Sequence, residues 1–404
     1  MAMKQIFGIG MWIALGVGGS LNAWVSPEGF FENEQVTKKE IASGVEYWEA
    51  HGDWEGKPMR TFLVAVDLEA GGYKLETKIA GKNESLPGKQ SVKRSIVSRW
   101  MKNDPEAVAV INATYFDIRR TQSPTYLVVK DRVVLREIEG KRAHAIFGPE
   151  MGVRIGEVGW SGKIRVGKQS RPLTGINRPV LTGDQVGIYL YPWAKTLNTE
   201  LEMAAREEIT QYVGKVEALN PWEVQMRYLR KIEGFDTENT SLLKEDEMIV
   251  AATKSANPFF RNMQLEDLVV IESQLDLPDG IQQEEVTGVL TAGPQLVQDG
   301  ESIVKVSGDK PPAVHPRSAI GVDRSGKKVV LVLVDGRSDE SAGMSFEALA
   351  KYFCHMGVDV ALNLDGGGSS ALGIREGKTT HIVNTPSDGL ERKVPVALGV
   401  VRKN

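Results

Sequence analysis

The chain has 404 residues, of which 41% are hydrophobic and 25% are charged. This is the composition of an ordinary globular protein, and the length allows one large domain or two smaller ones. The formal net charge of −4 and the lack of a Lys/Arg block argue against nucleic acid or an anionic membrane as the main partner. A small-molecule or saccharide substrate is therefore favoured.

The N-terminus has the pattern of a secretory signal. Lys4 precedes an apolar run at residues 6–17, and small residues lead to a cleavage point near Ala23. The run is shorter than the roughly 20 residues that span a bilayer, although an uncleaved anchor is the alternative interpretation. The sequence predicts a signal peptide over residues 1–23, no stable membrane insertion after cleavage, and a periplasmic or secreted protein.

Cys354 is the only cysteine, so an internal disulfide and a thiolate metal cluster are excluded. It occupies an apolar position of a predicted helix and is interpreted as a core residue. The chain also lacks the His/Cys spacing of a zinc site. No cofactor is required by the sequence, and the one metal considered is a hard divalent cation such as calcium, bound by aspartate oxygens.

Residues 24–59 are polar and turn-rich and are interpreted as an N-terminal extension on the surface of a single domain, residues 60–404. Patterns typical of strands follow at 61–68, 73–79 and 107–111, and a helical period of apolar residues occurs at 91–102. The third of these strands is expected to deliver Asn112 and Asp117 to a loop.

The middle of the chain predicts a sheet with a helical insertion. Between residues 125 and 191, short strand patterns alternate with Gly-rich turns, as in a meandering, mostly antiparallel sheet. Residues 197–233 are poor in Gly and Pro and rich in Glu, Ala, Leu, Lys and Arg. We interpret them as one or two surface helices within an insertion at 197–245. Strand patterns resume at 248–252 and 267–272.

The C-terminal third predicts a β-α-β unit. Residues 329–334 form a continuous apolar run, typical of a strand covered on both faces. Ser345 then caps a helix that Gly357 ends, and residues 358–364 return as a strand.

Asp335 and Asp365 directly follow these two strands. Because a helical crossover implies parallel neighbouring strands, both aspartates should emerge at one edge of the sheet, where ligand sites of open α/β sheets lie. The predicted fold class is α+β: mixed, largely antiparallel sheets with helices packed on them and the β-α-β unit at the C-terminal end.

Asp365 is the first candidate for a catalytic carboxylate and Asp335 the second. Hydrolysis at an anomeric carbon passes through an oxocarbenium-like state, which needs a carboxylate on one face of the sugar. A phosphate ester leaves readily but needs its charge held, and the arginine guanidinium pairs two phosphate oxygens at once. The candidates for that task are Arg317, Arg337 and Arg392, and Arg317 is assigned to the catalytic group.

Gly366, Gly367 and Gly368 remove every Cβ where backbone N–H groups could turn toward an anion or a sugar hydroxyl. The substrate-binding candidates beside them are Asn112, Asp117, His315, Ser318, Arg337, Ser369, Ser370 and Arg392. Structural alternatives stay open: a plain tight turn for the glycines, a turn or helix cap for the two aspartates, an ordinary loop residue for His315, and Asx-turns for Asn112 and Asp117.

As a set, these motifs resemble the phosphodiester glycosidase family. The resemblance extends over residues 60–402 and rests on the segments 112–116, 177–179, 292–300, 317–321, 335–337, 363–370 and 384–392. It implies an exported hydrolase that cleaves the bond between a sugar's anomeric carbon and a phosphate, in a cell-envelope or extracellular glycan. The chain departs from the family where Ala113 and Thr114 replace glycines.

Two other functions stay open at this point. A non-catalytic saccharide-binding protein of the same fold could keep the pocket without turnover, which the altered segment at Ala113 and Thr114 would permit. A phosphodiesterase that breaks the P–O bond would need a two-metal site or a nucleophile for phosphate, and the chain has only five histidines.

Overall fold

The structure is a computed structural model. It describes residues 24–70, 72–80, 96–119, 124–137, 142–177, 183–190, 209–233, 246–305 and 313–403. The predicted signal peptide and the first part of the predicted insertion, residues 197–208, lie outside these ranges.

The described residues form 25 strands but only two α-helices, α1 (Ile96–Asn103) and α2 (Phe346–His355). The predicted α+β class is therefore wrong, because the protein is mostly β. Among the described residues, neither α-helix has the length and apolar composition needed to cross a membrane.

The first sheet has eight strands, and every hydrogen-bonded pair in it is antiparallel. In spatial order they are β1 (Glu32–Ala42), β2 (Val45–Trp54), β3 (Lys57–Asp67), β21 (Lys328–Val334), β20 (Arg317–Val322), β22 (Val360–Asn363), β18 (Gln295–Gln298) and β19 (Glu301–Ser302). Much of the segment interpreted as an N-terminal extension thus forms β1 and β2.

The second sheet is the largest and contains the middle of the chain. In spatial order its strands are β11 (Gly175–Ile176), β12 (Val186–Leu190), β15 (Glu247–Thr253), β13 (Ile209–Asn220), β14 (Glu223–Glu233), β16 (Leu268–Asp276), β9 (Gly152–Val166), β8 (Arg142–Gly148), β17 (Gly288–Thr291), β6 (Val128–Lys130) and β7 (Val133–Arg136), with β10 (Gln169–Leu173) paired to β9. All pairs but β11 with β12 are antiparallel, as the sequence predicted for residues 125–191.

The third sheet carries one end of the site described below. Its strands are β24 (Thr379–Ile382), β23 (Leu372–Glu376), β5 (Ala107–Asn112), β25 (Val396–Arg402) and β4 (Tyr73–Ile79), all antiparallel.

The predicted surface helices are wrong over residues 209–233, which form the antiparallel hairpin β13–β14. Val224, Met226 and Tyr228 are all buried, so the apolar positions of β14 recur every second residue. That period suits a half-buried strand, and the packing of this face outweighs the helix preference of the Glu, Lys and Arg residues around it.

The apolar residues of β21 divide between two cores. Leu331 and Leu333 pack in the core between the first and third sheets, whereas Val330 and Val332 face the core beneath α2. Helix α1 covers the far side of the third sheet through Trp100. The prediction that β21 is covered on both faces is confirmed. The layers of this part of the protein are, in order, α1, the third sheet, the first sheet and α2.

The β-α-β unit has the predicted elements but not the predicted neighbours. Ser345 caps α2 by accepting the backbone N–H of Ala348 at 3.1 Å, and Gly357 follows the helix with φ +75°. However, β20 lies between β21 and β22 and is antiparallel to both. The two strands therefore run parallel to each other without touching, and both end at the same edge of the sheet.

Candidate functional site

Three adjacent strands of the first sheet place charged side chains at one edge. β21 ends just before Asp335 and β22 ends just before Leu364 and Asp365, while β20 begins at Arg317 because it runs in the opposite direction. Arg317 is directly paired with Val334, the residue before Asp335. The structure thus brings the predicted catalytic residues to a common edge, although the order of strands differs from the prediction.

Asp365 is held at this edge by its main chain. Its N–H donates to the carbonyl of Ala113 at 2.8 Å, and its carbonyl accepts the side-chain amide of Asn112 at 2.6 Å. The half-buried carboxyl group accepts hydrogen bonds from the Ser369 side chain and the Gly366 N–H. Burial raises its pKa to about 6, against the lowering effects of Ser369, the charge of Arg392 and Gly366. Both its protonated and charged forms are therefore accessible near neutral pH.

Asn112 is fully buried and joins the first and third sheets. Its carbonyl oxygen accepts the Ser318 hydroxyl at 2.7 Å and the Ala371 N–H at 3.1 Å, while its amide reaches the Asp365 carbonyl. Ser318 is also fully buried. Because Ser318 is hydrogen-bonded to Asn112 and Asn112 to the Asp365 carbonyl, these two side chains hold the main chain of Asp365 in place.

Asp335 is buried and connects the sheet edge to the segment 384–392. The Thr385 N–H lies 3.2 Å from both carboxylate oxygens, and the Asn384 side chain adds a hydrogen bond. On the other side, the Asp335 N–H donates to the carbonyl of Arg60 at 3.0 Å. Burial is the largest influence on the carboxyl group and raises its pKa, while the Thr385 hydrogen bond opposes the shift.

The glycine run forms a tight turn on which charged groups rest. A Cβ at Gly366 would lie 2.8 Å from the carbonyl oxygen of Pro316. A Cβ at Gly368 would come within 3.0 Å of the Arg392 guanidinium and of both carboxylate oxygens of Asp388. Real Cβ atoms do not approach that closely, so Gly366, which faces a backbone carbonyl, requires glycine, whereas a side chain at Gly368 would displace Arg392 and Asp388.

Arg337 is exposed and lies over Gly367, whose φ of +62° also favours glycine. A Cβ at Gly367 would lie 3.1 Å from Nη2 of Arg337. The same Nη2 lies 3.3 Å from Nδ1 of His315. Burial, and then the charges of Arg317 and Arg337, lower the pKa of His315, so its ring is neutral at neutral pH and accepts from Arg337. Among the described residues, no carboxylate pairs with Arg337.

Arg317 is bound by the backbone. Nε donates to the carbonyl of Met344 at 2.8 Å, Nη2 donates to that of Ala313 at 3.1 Å, and the guanidinium lies 3.9 Å from the centre of the Phe346 ring. Burial lowers the pKa of Arg317 to about 10, which leaves it charged at neutral pH. It therefore supplies fixed positive charge at the strand ends.

Arg392, unlike Arg317 and Arg337, forms an ion pair with a nearby carboxylate. Nε and Nη2 donate to one carboxylate oxygen of Asp388 at 3.0 and 2.6 Å, and Nη1 donates to the Ser369 hydroxyl at 3.3 Å. Since Ser369 also bonds Asp365, a chain of hydrogen bonds links the Arg392 guanidinium to the candidate catalytic carboxyl group.

Two candidates have less contact with this group. Asp117 accepts the Arg119 N–H at 3.0 Å within its own loop, which is the Asx-turn that the sequence left open. The Ser370 hydroxyl is buried and has no hydrogen-bond partner in the described part of the chain.

The sequence interpretation did not single out three residues that belong to the site. Tyr115 donates its hydroxyl to the Gly293 carbonyl at 2.6 Å and accepts the Asn363 amide at 3.0 Å. Asp388 pairs with Arg392 within an irregular segment, where a spacing of four residues gives no signal in the sequence. For Tyr115 and Asn363, the pairing depends on the fold.

Within the described residues, no three His, Cys, Asp or Glu side chains form a group that could hold a metal ion. The expectation of a divalent cation stays untested.

Comparisons with known proteins locate the family relationship in the C-terminal part. Residues 230–401 match the family model of phosphodiester glycosidases. A prophage-derived uncharacterized protein of Bacillus subtilis is 45% identical over 80 residues, which are 20% of this chain and 12% of that protein.

Solved structures agree over much more of the chain. A hypothetical protein from Synechocystis superposes with a TM-score of 0.68 and 18% identity, over 91% of this chain and 64% of that one. A candidate exported protein from Burkholderia pseudomallei superposes with a TM-score of 0.66 and 15% identity, over 91% and 96% of the two chains. At these identities, the likeness establishes the fold alone.

The matched segment contains Arg317, Asp335, Arg337, Asp365 and Arg392, the charged residues that the strand ends and the glycine turn bring together. The resemblance predicted from the sequence is thereby confirmed over residues 230–401, which match the phosphodiester glycosidase family.

Proposed function

We propose that the protein is a hydrolase that cleaves the glycosidic bond of a sugar-1-phosphodiester. The observation that carries the proposal is the connection from Asp365, a half-buried carboxyl group with a pKa of about 6, through Ser369 to the Arg392 guanidinium. A carboxylate beside a phosphate-binding cation is what cleavage at an anomeric carbon attached to phosphate requires. The family match supports the same reaction class.

In the proposed reaction, Asp365 acts as the carboxylate next to the anomeric carbon. The bond from that carbon to the phosphate oxygen breaks, and its electron pair leaves with the phosphate. The negative charge of Asp365 stabilises the positive charge that develops on the sugar. Water forms the new bond to the anomeric carbon, and its proton passes to Asp365 and then to solvent. The products are a free sugar and a phosphomonoester.

The phosphate would lie between Arg337 and Arg392. Arg337 is exposed and has no carboxylate partner among the described residues, and Arg392 extends over the same glycine turn. Two guanidinium groups can hold the charge that the leaving phosphate gains, which replaces the need to protonate it. Arg317 contributes electrostatically, since it is buried and its Nε and Nη2 already donate to backbone carbonyls.

Asp335 and Asn112 are proposed as positioning residues. Asp335 holds the segment that carries Arg392 through the Thr385 N–H, and Asn112 holds the main chain of Asp365. Both side chains are buried and already hydrogen-bonded within the protein, as expected of residues that hold others in place.

We also propose an exported protein that acts on a sugar phosphate of the cell envelope or an extracellular glycan. The predicted signal segment over residues 1–23 supports export, and the candidate exported protein from Burkholderia pseudomallei shares the fold.

The test is hydrolysis of three compounds: p-nitrophenyl phosphate, a bis-p-nitrophenyl phosphodiester and a sugar-1-phosphodiester. We expect release of free sugar from the third compound alone, with oxygen from labelled water entering the sugar. Label in the phosphate would instead indicate P–O cleavage. Failure of the wild type to release sugar, or unchanged release by Asp365→Ala, would contradict the proposal, and binding without release would favour a saccharide-binding protein.

The same assay addresses the divalent cation. If calcium takes part, a chelator should abolish sugar release and added calcium should restore it. Release that persists after exhaustive chelation would eliminate the cation from the proposal.

A further inference from the structure

Arg392 is the one arginine of the site that forms an ion pair with a carboxylate among the described residues. Asp388 accepts from Nε and Nη2 of Arg392 at 3.0 and 2.6 Å, whereas the donors of Arg317 bond carbonyls and Arg337 contacts His315. Without the Asp388 carboxylate, a phosphate-binding site at Arg392 would have one more net positive charge. Its presence therefore calls for an explanation.

Asp388 lies inside the proposed phosphate site and is not turned away from it. Both of its carboxylate oxygens lie within 3.0 Å of where a Cβ of Gly368 would be, in the turn that also carries Asp365. The side chain of Asp388 is 39% exposed, so the group faces solvent as well as Arg392. Because the two groups lie 2.6 Å apart, an anion that contacts the guanidinium also comes near this carboxylate.

Arg392 does not depend on Asp388 alone for its position. Nη1 is bonded to the Ser369 hydroxyl, which is in turn bonded to Asp365. An exposed ion pair between residues four apart contributes little to stability. The main effect of Asp388 is therefore on the charge of the site.

We propose that Asp388 is a charge filter that selects monoanionic phosphodiesters over dianionic phosphomonoesters. The proposal rests on the phosphate position given under the proposed function. A phosphodiester carries one negative charge, whereas a phosphomonoester carries close to two above its second pKa near 6. The second charge is repelled by Asp388, which offsets the positive charge that Arg392 brings to the site. Since C–O cleavage produces a phosphomonoester, the same repulsion favours its release.

Two small anions that are not substrates test the filter: dimethyl phosphate, a monoanion, and methyl phosphate, a dianion at about pH 8. Binding to the full-length protein is measured by NMR or calorimetric titration in wild type, Asp388→Asn and Glu69→Gln. Asparagine can still accept from Arg392, so only the charge is removed. Glu69 is an exposed carboxylate beyond the opposite end of β3 and controls for net charge.

We expect wild type and Glu69→Gln to favour dimethyl phosphate. Asp388→Asn should bind dimethyl phosphate about fivefold and methyl phosphate about 25-fold more tightly than wild type, so that the ratio of the two affinities shifts about fivefold toward methyl phosphate, since one nearby charge in a solvated setting is worth about fivefold per charge on the anion. Equal weakening of both anions would show that Asp388 merely orients Arg392, and would overturn the filter, as would an unchanged ratio.

The outcome is separate from that of the glycosidase assay. If neither anion binds wild type, or if Arg392→Gln binds both as wild type does, the phosphate site and the filter both fail. If discrimination is found but no sugar is released from any phosphodiester, the filter stands and the proposed reaction fails.

Discussion

Asp365, the proposed catalytic carboxylate, should lower the free energy of unfolding of the protein at neutral pH. Its pKa is raised from the usual 3.8 to about 6, chiefly by burial. Because the folded-state pKa lies above the unfolded one, the folded state binds the proton more tightly. The stability that this binding contributes is present below the unfolded pKa and is lost as pH rises through about 6. A change of this size corresponds to about 3 kcal/mol at neutral pH.

Asp365→Asn removes the buried charge while keeping the size of the side chain. We expect its free energy of unfolding at about pH 8 to exceed that of wild type by about 1 to 3 kcal/mol, the lower value applying if the new amide N–H₂ finds no acceptor. At about pH 4 the difference should nearly vanish, because wild-type Asp365 is then protonated in the folded state. Sugar release should be lost at both pH values.

Urea unfolding followed by circular dichroism at the two pH values measures this difference, with Glu69→Gln as the control for an exposed carboxylate at the other end of the sheet. The control should show no such pH dependence. If Asp365→Asn is destabilised by the same amount at both pH values, burial does not raise the pKa of Asp365, and the reasoning is refuted.

Three further outcomes are expected. Sugar release by the wild type should rise with pH through about 6 as Asp365 loses its proton; a rate that is flat between about pH 5 and 8 would contradict its role as a carboxylate. Gly368→Ala should lower sugar release at least about tenfold with little loss of helix or strand content, because the new methyl group displaces Arg392; circular dichroism and initial rates check this. Ser345→Ala should lower the free energy of unfolding by about 1 kcal/mol, since the Ala348 N–H loses its acceptor, without a change in the kinetics; unaltered urea unfolding would argue against the cap.

The parts of the fold that the sequence predicted are set by local interactions. Ser345 and Gly357 bound α2 through contacts within a few residues, and the apolar run of β21 is buried on both faces whatever its neighbours are. The placement of Asp335 and Asp365 at one edge followed from these elements, because two strands joined by one helix run in the same direction.

The parts that the sequence did not predict depend on distant pairing. β20 lies between β21 and β22, and β21 pairs on its other side with β3 near the N-terminus. No local pattern specifies these partners. In the hairpin β13–β14 a local signal did exist, since apolar residues alternate in β14, but composition favoured a helix and was given more weight.

The three arginines show which features of the site could not be predicted from the sequence. All were predicted as phosphate ligands from residue type, yet Arg317 is occupied by backbone carbonyls, Arg392 by Asp388 and Ser369, and Arg337 lies exposed without a carboxylate partner among the described residues. Their chemistry therefore differs through partners that the fold supplies. In the proposed site, an anion meets the Arg337 guanidinium, which has no carboxylate partner among the described residues, and the Arg392 guanidinium, which is already paired with Asp388; we expect this difference, more than the number of arginines, to determine how much negative charge the anion can carry.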